Sequence, residues 1–359
     1  MTTKFTLNIF HKVVATLLSV TLIPLCTLWY VGNQAAEREL TANIYQNLVA
    51  TMNTASARIN GWDDSNLRAL RQAGHMNDIT SMKSERQLPV LTAMGLAYDS
   101  FLVHTIGADG NNIARSDGAP LLNFNDRKYF SDVMKGAPVG RQVVISKTTG
   151  KPALLLGSPI RNANNDVIGV VSMGLNLVDI SQAVTDVRVG ATGRAILLDA
   201  SNKVISHGDL QKVKTALQDF SGHSALKTAG VSDAPTVYTN DGKEMIGYMR
   251  KLPQGWTLLV EQETDEAFAP LNRMKKDGRL LILITIALVV IIAYVLGKAL
   301  TRPINELTII ADKLSKGDFD VNLSQRERGD EIGSLARAIE RLGISIKLAM
   351  DRLRSKSSA

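Results

Sequence analysis

The sequence predicts an α+β protein held in a membrane, with a long N-terminal helix and two antiparallel-sheet modules on one side and a helical segment on the other. Three observations predict it. Two uncharged apolar runs of spanning length, residues 13–31 and 280–297, divide the chain. Between them, short apolar segments separated by Gly-containing turns follow one order twice. After the second run come two segments whose apolar residues recur every three or four positions.

The first run, VVATLLSVTLIPLCTLWYV, ends on Trp29 and Tyr30, whose amphipathic rings favour a membrane interface. Pro24 is tolerable in a spanning helix. A cleaved signal peptide, with QAAERE as a weak processing site, stands beside the uncleaved anchor as the alternative. The second run is LLILITIALVVIIAYVLG. Lys4, His11 and Lys12 precede the first span, and Lys298 and Arg302 follow the second, which places both termini in the cytoplasm of an inner-membrane protein. The basic stretch RMKKDGR then falls on the outer side, against the rule, but a long domain translocates largely regardless of charge. Residues 1–12 are thus a cytoplasmic N-terminus and residues 33–278 an extracytoplasmic domain.

The formal charge of +7 over 359 residues sits mainly in the terminal pieces. Residues 33–278 hold 26 basic and 25 acidic side chains, whereas a nucleic-acid binder gathers its excess on the folded domain. Nucleic acid is therefore excluded as a partner. Cys26 is the only cysteine, so neither an intrachain disulfide nor a cysteine zinc site is possible.

From Ala35 to about Leu70 there is no proline, and Leu40, Ile44, Leu48, Met52, Ala55, Ile59 and Trp62 line one face of a long helix. That face packs either on a second subunit or on its own domain. After Tyr98 the texture becomes strand-like. FLVHTIGADGNNIARS reads strand, Asp-Gly turn, strand, and RQVVISKTTGKPALLLGSPI reads as two strands around a Thr-Gly turn. A loop and the apolar strand of NANNDVIGVVSMGLNL follow. GATGRAILLDASNKVISH, EMIGYMRKL and GWTLLVEQE repeat the order at lower volume.

This arrangement resembles the double Cache domain, a pair of PAS-like modules found outside the membrane in bacterial chemoreceptors and sensor kinases. The resemblance is carried by DRKYF at 126–130, SKTTGKPALLLGSPI at 146–160, DVIGVV at 166–171, GATGRAILLD at 190–199 and GWTLLVEQ at 255–262, in that order between two spans. It implies a membrane-distal module over 98–185 and a membrane-proximal module over 186–268.

Beyond the second span, Ile304, Leu307, Ala311 and Leu314 form a short heptad stripe. Ile332, Leu335, Ile339, Leu342, Ile346, Ala349 and Leu353 form a longer one, as coiled-coil helices require. Pro303 suits a first turn and Gly317 a helix end. Residues 299–350 resemble a HAMP domain, a parallel four-helix dimer that relays motion from membrane to output. Pro303, Glu306, Gly317, Phe319, Leu323, Asp330 and Glu331 match its pattern, which implies a signal-relay role for them and a homodimer. A tail of residues 351–359 remains, shorter than any kinase, cyclase or methyl-accepting output, so a cytoplasmic signalling protein acting in trans is the expected partner.

No catalytic motif, cofactor loop or metal spacing is present: the histidines at 11, 75, 104, 207 and 223 are scattered, His207 reads as a strand-end residue, and Asp63-Asp64 reads as a solvated helix face. No enzyme activity, cofactor or metal is expected. In NDRKYF, the resemblance implies that Arg127, Tyr129 and Phe130 reach the ligand pocket of the distal module, with Ser146 and Lys147 beside them. A guanidinium can hold a carboxylate bidentately while aromatic faces enclose the remainder. The plainer reading has Asp126 capping a short helix and the two rings in the core. The amino-acid-binding branch of the family carries a tyrosine and an ammonium-holding aspartate at positions occupied here by Ile145 and Gly174. An organic acid is therefore the expected ligand. The function expected is a transmembrane chemoreceptor-like sensor, and the alternative is a non-switching scaffold that recruits partners through its coiled coil.

Overall fold

The computed structural model describes residues 9–185, 189–228 and 234–357. Lys4, the first residues expected for the proximal module (186–188) and the last two of the tail lie outside the described residues. The chain divides into two compact units, Arg38–Pro270 and Met1–Glu37 with Leu271–Ala359.

A single helix, α1, runs Ile9–His75 and ends where Met76 turns extended (φ −70°, ψ 135°). In the first unit its stripe Ile44, Leu48, Met52, Ala55 and Ile59 is buried, with Leu40 and Trp62 packed against the same core. The face thus packs on its own domain, each large side chain contributing about 1.5–3 kcal/mol of burial. Short helices α2 (Asn77–Thr80) and α3 (Ser84–Ala97) follow.

Two five-stranded sheets come next. The first contains β1 (Leu102–Gly107), β2 (Asn112–Arg115), β3 (Gly140–Ile145), β4 (Pro152–Arg161) and β5 (Val167–Asn176), in the order β2-β1-β5-β4-β3. Helix α4 (Lys128–Met134) lies between β2 and β3, and α5 (Leu177–Thr185) leaves the sheet. The second contains β6 (Arg194–Leu198), β7 (Val204–His207), β8 (Thr236–Asn240), β9 (Lys243–Lys251) and β10 (Thr257–Glu263), in the order β7-β6-β10-β9-β8. Helices α6 (Gln211–Lys214) and α7 (Ser224–Thr228) fall between β7 and β8, and α8 (Thr264–Ala267) follows β10. Every pairing is antiparallel. The repeat legible in the sequence is therefore a repeat of topology, with the last strand of each set inserted at the centre.

One expectation is corrected here. Asp63 is not on a solvated face: it is buried and receives Arg141 Nη2 at 2.7 Å and Nε at 3.2 Å. Arg141 also lies 6.0 Å from the Trp256 ring centroid, so this pair joins α1 to β3 beside the second sheet. Asp64 remains exposed, paired with Arg68 at 3.0 Å along the helix. Adjacent helix residues point about 100° apart, which is why one of two neighbouring aspartates can be buried and the other wet.

The second unit has two helices long and apolar enough to cross a membrane, with windows of mean hydropathy 1.9 in α1 and 3.1 in the helix that begins at Ala269. That helix, α9 (Ala269–Leu296), passes through a π-helical turn at Gly297–Thr301 into α10 (Arg302–Ser315), and α11 (Glu331–Ser357) follows a short 3₁₀ turn at Ser324–Glu327. Gly278 lies against Trp29, where a side chain on the glycine would collide with the indole. Leu307, Leu323, Ile332 and Ala336 form a small core, with Ile310, Val321 and Ile339 against it. Leu335 and Leu342 of the same stripe stay 48% and 59% exposed. The π turn had no signature in the sequence beyond a glycine.

Candidate functional site

Alternation along the first sheet gives it two buried faces. Val103, Leu154, Leu156, Val171 and Met173 join the core that α1 lines, while Ile106, Val144, Leu155 and Val170 turn the other way. Over that second face lie α4, through Tyr129, Phe130 and Val133, and Phe124 from the preceding loop. The loop is fixed by Arg115, whose Nε and Nη2 donate to Asp117 at 3.0 and 2.7 Å while Nη1 donates to Pro120 O at 3.1 Å. Gly110 (φ +81°) makes the β1–β2 turn under Asn125, whose side chain occupies the place a Cβ would need.

At the start of α4, Arg127 is in the N-cap position with extended backbone (φ −94°, ψ 125°) and no side-chain cap. Its side chain is 15% exposed, its Nη2 donates to Ile145 O at 3.3 Å, and its Nε is 3.8 Å from Asp126 Oδ2 with no hydrogen bond. Asp126 does not cap the helix. It accepts from Lys147 Nζ at 2.6 Å, which also donates to Asn123 O at 2.9 Å and lies 5.4 Å from the Phe124 ring centroid. The Lys147 hydrogen bond and charge hold the Asp126 carboxyl below its ordinary range. Ser146 Oγ accepts the N–H groups of Thr148 and Thr149 at 3.1 and 3.2 Å and so shapes the β3–β4 turn. Tyr129 and Phe130 are buried in the cluster beneath. Arg127, Asp126 and Lys147 are thus brought together at the edge, the two rings are packed below, and Ser146 serves the backbone.

The sequence reading passed over His104. It stands on β1 between Leu102 and Ile106, a polar residue at an inward position, and that alternation was its one signal. Its Nδ1 accepts from Asn112 Nδ2 at 2.6 Å, which leaves the ring proton on Nε2, where it has no partner. Burial, aided by the Arg115 charge, pushes its pKa down to about 3, so the ring is neutral at ordinary pH. Its ring centroid is 4.8 Å from that of Phe124. Across the sheet, His104 is in register with Ser172, and Ser172 with Gly157. The Tyr129 ring lies over Gly157, where a Cβ would meet its Cδ2 at 3.0 Å. The Tyr129 hydroxyl is likewise buried, with the Ser172 side chain as a polar neighbour but no well-formed hydrogen bond, and burial raises the phenol above its ordinary value. His104 Nε2, Tyr129 Oη and Arg127 Nε are therefore three buried polar atoms in the first sheet and at α4 that have no formed hydrogen bond. Each costs about 1–3 kcal/mol while it has no partner. Gly174, farther along β5, is covered by Phe101, whose Cζ would be 2.7 Å from a Cβ there.

The profile of the Cache domain matches residues 32–271, both sheets and the helices around them. The chain belongs to the Cache domain family. A HAMP domain profile matches residues 295–347. Among characterised relatives, methyl-accepting chemotaxis protein McpC of Bacillus subtilis is 27% identical over 191 residues, 53% of this chain and 28% of that protein. PctB of Pseudomonas aeruginosa is 21% identical over 70% of this chain and 42% of its own length. TlpB of B. subtilis is 21% identical over 95% of this chain and 51% of its own. The chain thus spans about half or less of these relatives' length. The same fold occurs in the ligand-binding domain of Pseudomonas fluorescens chemoreceptor CtaA in complex with L-isoleucine, with TM-score 0.54, 17% identity, 67% of this chain and 99% of that one. It occurs also in that of Campylobacter jejuni chemoreceptor Tlp3 in complex with 4-methylisoleucine, with TM-score 0.53, 14% identity, 65% of this chain and 96% of that one.

In the HAMP domain the seven residues singled out from sequence occupy the joints. Pro303 is buried in the first turn of α10, and Gly317 ends that helix at φ +89°, a conformation that favours glycine. Glu306 accepts from Arg302 Nε at 3.2 Å and from Gln325 Nε2 at 2.9 Å, tying α10 to the connector. Leu323 is in the core, and Phe319 lines a cavity with Leu314 and Gly343. Asp330 Oδ1 accepts from Gly333 N–H at 3.0 Å and caps α11, and its bidentate pair with Arg328 holds its pKa at about 2. Glu331 is the first residue of α11, where a negative charge favours the helix dipole.

Proposed function

We propose that this Cache protein is a transmembrane chemoreceptor-like sensor. A small organic acid binds in the first sheet, outside the inner membrane, and the HAMP domain passes the change to a cytoplasmic signalling partner. Modules 98–185 and 186–268, spans 13–31 and 280–297, and relay 299–350 are the parts of that reading. The observation that carries it is three buried polar atoms without a formed hydrogen bond, His104 Nε2 on β1, Tyr129 Oη on α4 and Arg127 Nε at its N-cap. A ligand that pairs them returns a cost the unliganded fold bears, and its differential affinity for the paired arrangement supplies the energy of the switch. Ser146 and Lys147 belong to the edge of this site.

The site favours an acid over an amino acid. Arg127 and His104 Nε2–H offer donors, and both nearby carboxylates are occupied, Asp126 by Lys147 and Asp117 by Arg115. Gly174 supplies no acid for an ammonium, and Phe101 fills the space one would need. CtaA and Tlp3 were solved with amino acids bound, so amino acids form the comparison set. With the full-length chain in nanodiscs, a carboxylic acid from a screened panel should raise the melting temperature, and Arg127→Ala should abolish that rise while leaving the unliganded melt unchanged. The expected loss of binding is about 2 kcal/mol or more, from a charge-assisted pair left without its partner. Tight binding of an ordinary amino acid, or a collapse of the unliganded melt in Arg127→Ala, would overturn the reading.

Relay through HAMP requires a homodimer with a parallel four-helix coiled coil. Leu335 and Leu342 lie one heptad apart on α11 and are exposed in the single chain, as expected of a seam that a second copy covers. In a Cys26→Ser background, Leu342→Cys should crosslink between subunits in membranes while Arg341→Cys should not. Crosslinking at Arg341 alone would place the seam on a different face.

A further inference from the structure

We propose that the second sheet carries a ligand site of its own, for a small monocarboxylate. A cavity of about 220 Å³ opens between β6, β8 and the α6–α7 connection, walled by Arg194, Lys212, Phe220 and His223, with Asp219 and Asp241 also lining it. Its base is a buried charge cluster. Glu261, fully buried on β10, receives Arg194 Nε at 2.6 Å and the Tyr238 hydroxyl. The guanidinium is thereby held by one edge. Its Nη1 and Nη2 make no hydrogen bond among the described residues, and they form the fork that suits a carboxylate.

His223, which also lines the cavity, brings a second donor to the same buried base. His223 Nδ1 accepts the Ala225 N–H at 3.3 Å, so the neutral ring carries its proton on Nε2. The side chain is 7% exposed, and Nε2 is buried without a hydrogen bond, 3.8 Å from Glu261 Oε2. Burial holds the ring below its ordinary pKa, so this group acts as a neutral N–H donor near pH 7. Phe220 stacks on the His223 ring at 4.9 Å and an 11° interplanar angle, supplying an apolar wall. Lys212 Nζ lies 5.9 Å from the Phe220 ring centroid and has no carboxylate partner among the described residues. Donors and positive charge therefore converge inside. Asp219, whose carboxyl accepts Ser221 N–H at 2.8 Å, and Asp241 are exposed and negative. They repel a second anionic group, which selects one carboxylate over two.

This site shares no residue with the one under α4, so the two separate experimentally. Calorimetric titration of the full-length chain in nanodiscs with acetate, propionate and pyruvate should give binding that persists in Arg127→Ala. Succinate should bind about tenfold more weakly, because its second charge meets Asp219 and Asp241. Lys212→Gln should weaken the monocarboxylates about tenfold, and Arg194→Lys, which keeps a cation on Glu261 but loses the fork, should do the same. Beyond its place over the Phe220 ring, the Lys212 side chain makes no hydrogen bond or ion pair among the described residues, so its variant decides the question even where Arg194→Lys folds poorly. Absence of binding by all three acids in Arg127→Ala, or binding indifferent to Lys212→Gln, would overturn the proposal.

Discussion

Arg194→Ala should lower the stability of the Cache domain by about 3 kcal/mol, since removing one partner of a buried pair strands the other charge. Glu261 is fully buried and would keep only the Tyr238 hydroxyl, with His223 3.8 Å away. The guanidinium is 32% exposed, which holds the figure at the lower end of the range for such pairs. At roughly 2–4 °C per kcal/mol for a domain of this size, the melting temperature should fall by about 6–12 °C. Scanning fluorimetry of the full-length chain reads this directly. Adding Glu261→Gln in the Arg194→Ala background should recover part of the loss, because it removes the stranded charge and keeps a hydrogen-bonding side chain. A shift of about 1 °C, or no recovery in the double variant, would mean that Glu261 finds compensation from solvent.

The second large effect is acid sensitivity. His104 and His207 are buried, and burial lowers their pKa to about 3 and about 4 in the folded protein. The unfolded chain takes up these protons near pH 6.5. Both states are neutral at these rings above that pH, so the rings contribute no pH dependence there. As pH falls below 6.5 the unfolded state binds more protons, and stability is lost continuously until the folded pKa values are reached. Each ring contributes a slope of about 1.4 kcal/mol per pH unit, so the pair together costs on the order of 5 kcal/mol between pH 6.5 and 4.5. Denaturant midpoints measured across that interval should fall steeply, and His104→Asn should remove that ring's share, about 1.4 kcal/mol per pH unit, whatever it does to the starting stability. An unchanged slope in that variant would mean that His104 is protonated in the fold.

Much of the architecture was legible from pattern alone. The apolar runs at 13–31 and 280–297, the stripe from Leu40 to Trp62, the Gly-containing turns at Gly110 and Gly150, and the heptad residues of α10 and α11 each follow from local periodicity or local backbone demand. Those signals need only neighbours in sequence. The doubling of the sheet was legible for the same reason, since the same order of strands and turns occurs twice.

What the side chains do at the site was decided by tertiary structure. The sequence placed Arg127, Tyr129 and Phe130 close together, but not that Lys147 reaches back 21 residues to Asp126, nor that Phe101 covers Gly174. Asp63 and Asp64 are indistinguishable as letters, and only Arg141, 78 residues away, makes one of them part of the core. His104 pairs with Asn112 on the neighbouring strand, while His207 and His223 each accept a backbone N–H two residues on, from Asp209 and Ala225, so the three share no spacing motif. Periodicity determines which face of an element turns inward, but pairing and orphaning of a buried polar atom depend on what the opposite element brings. In this protein the chain determined the frame, and the long-range pairing of charges and rings across the two sheets determined where its unpartnered donors remain.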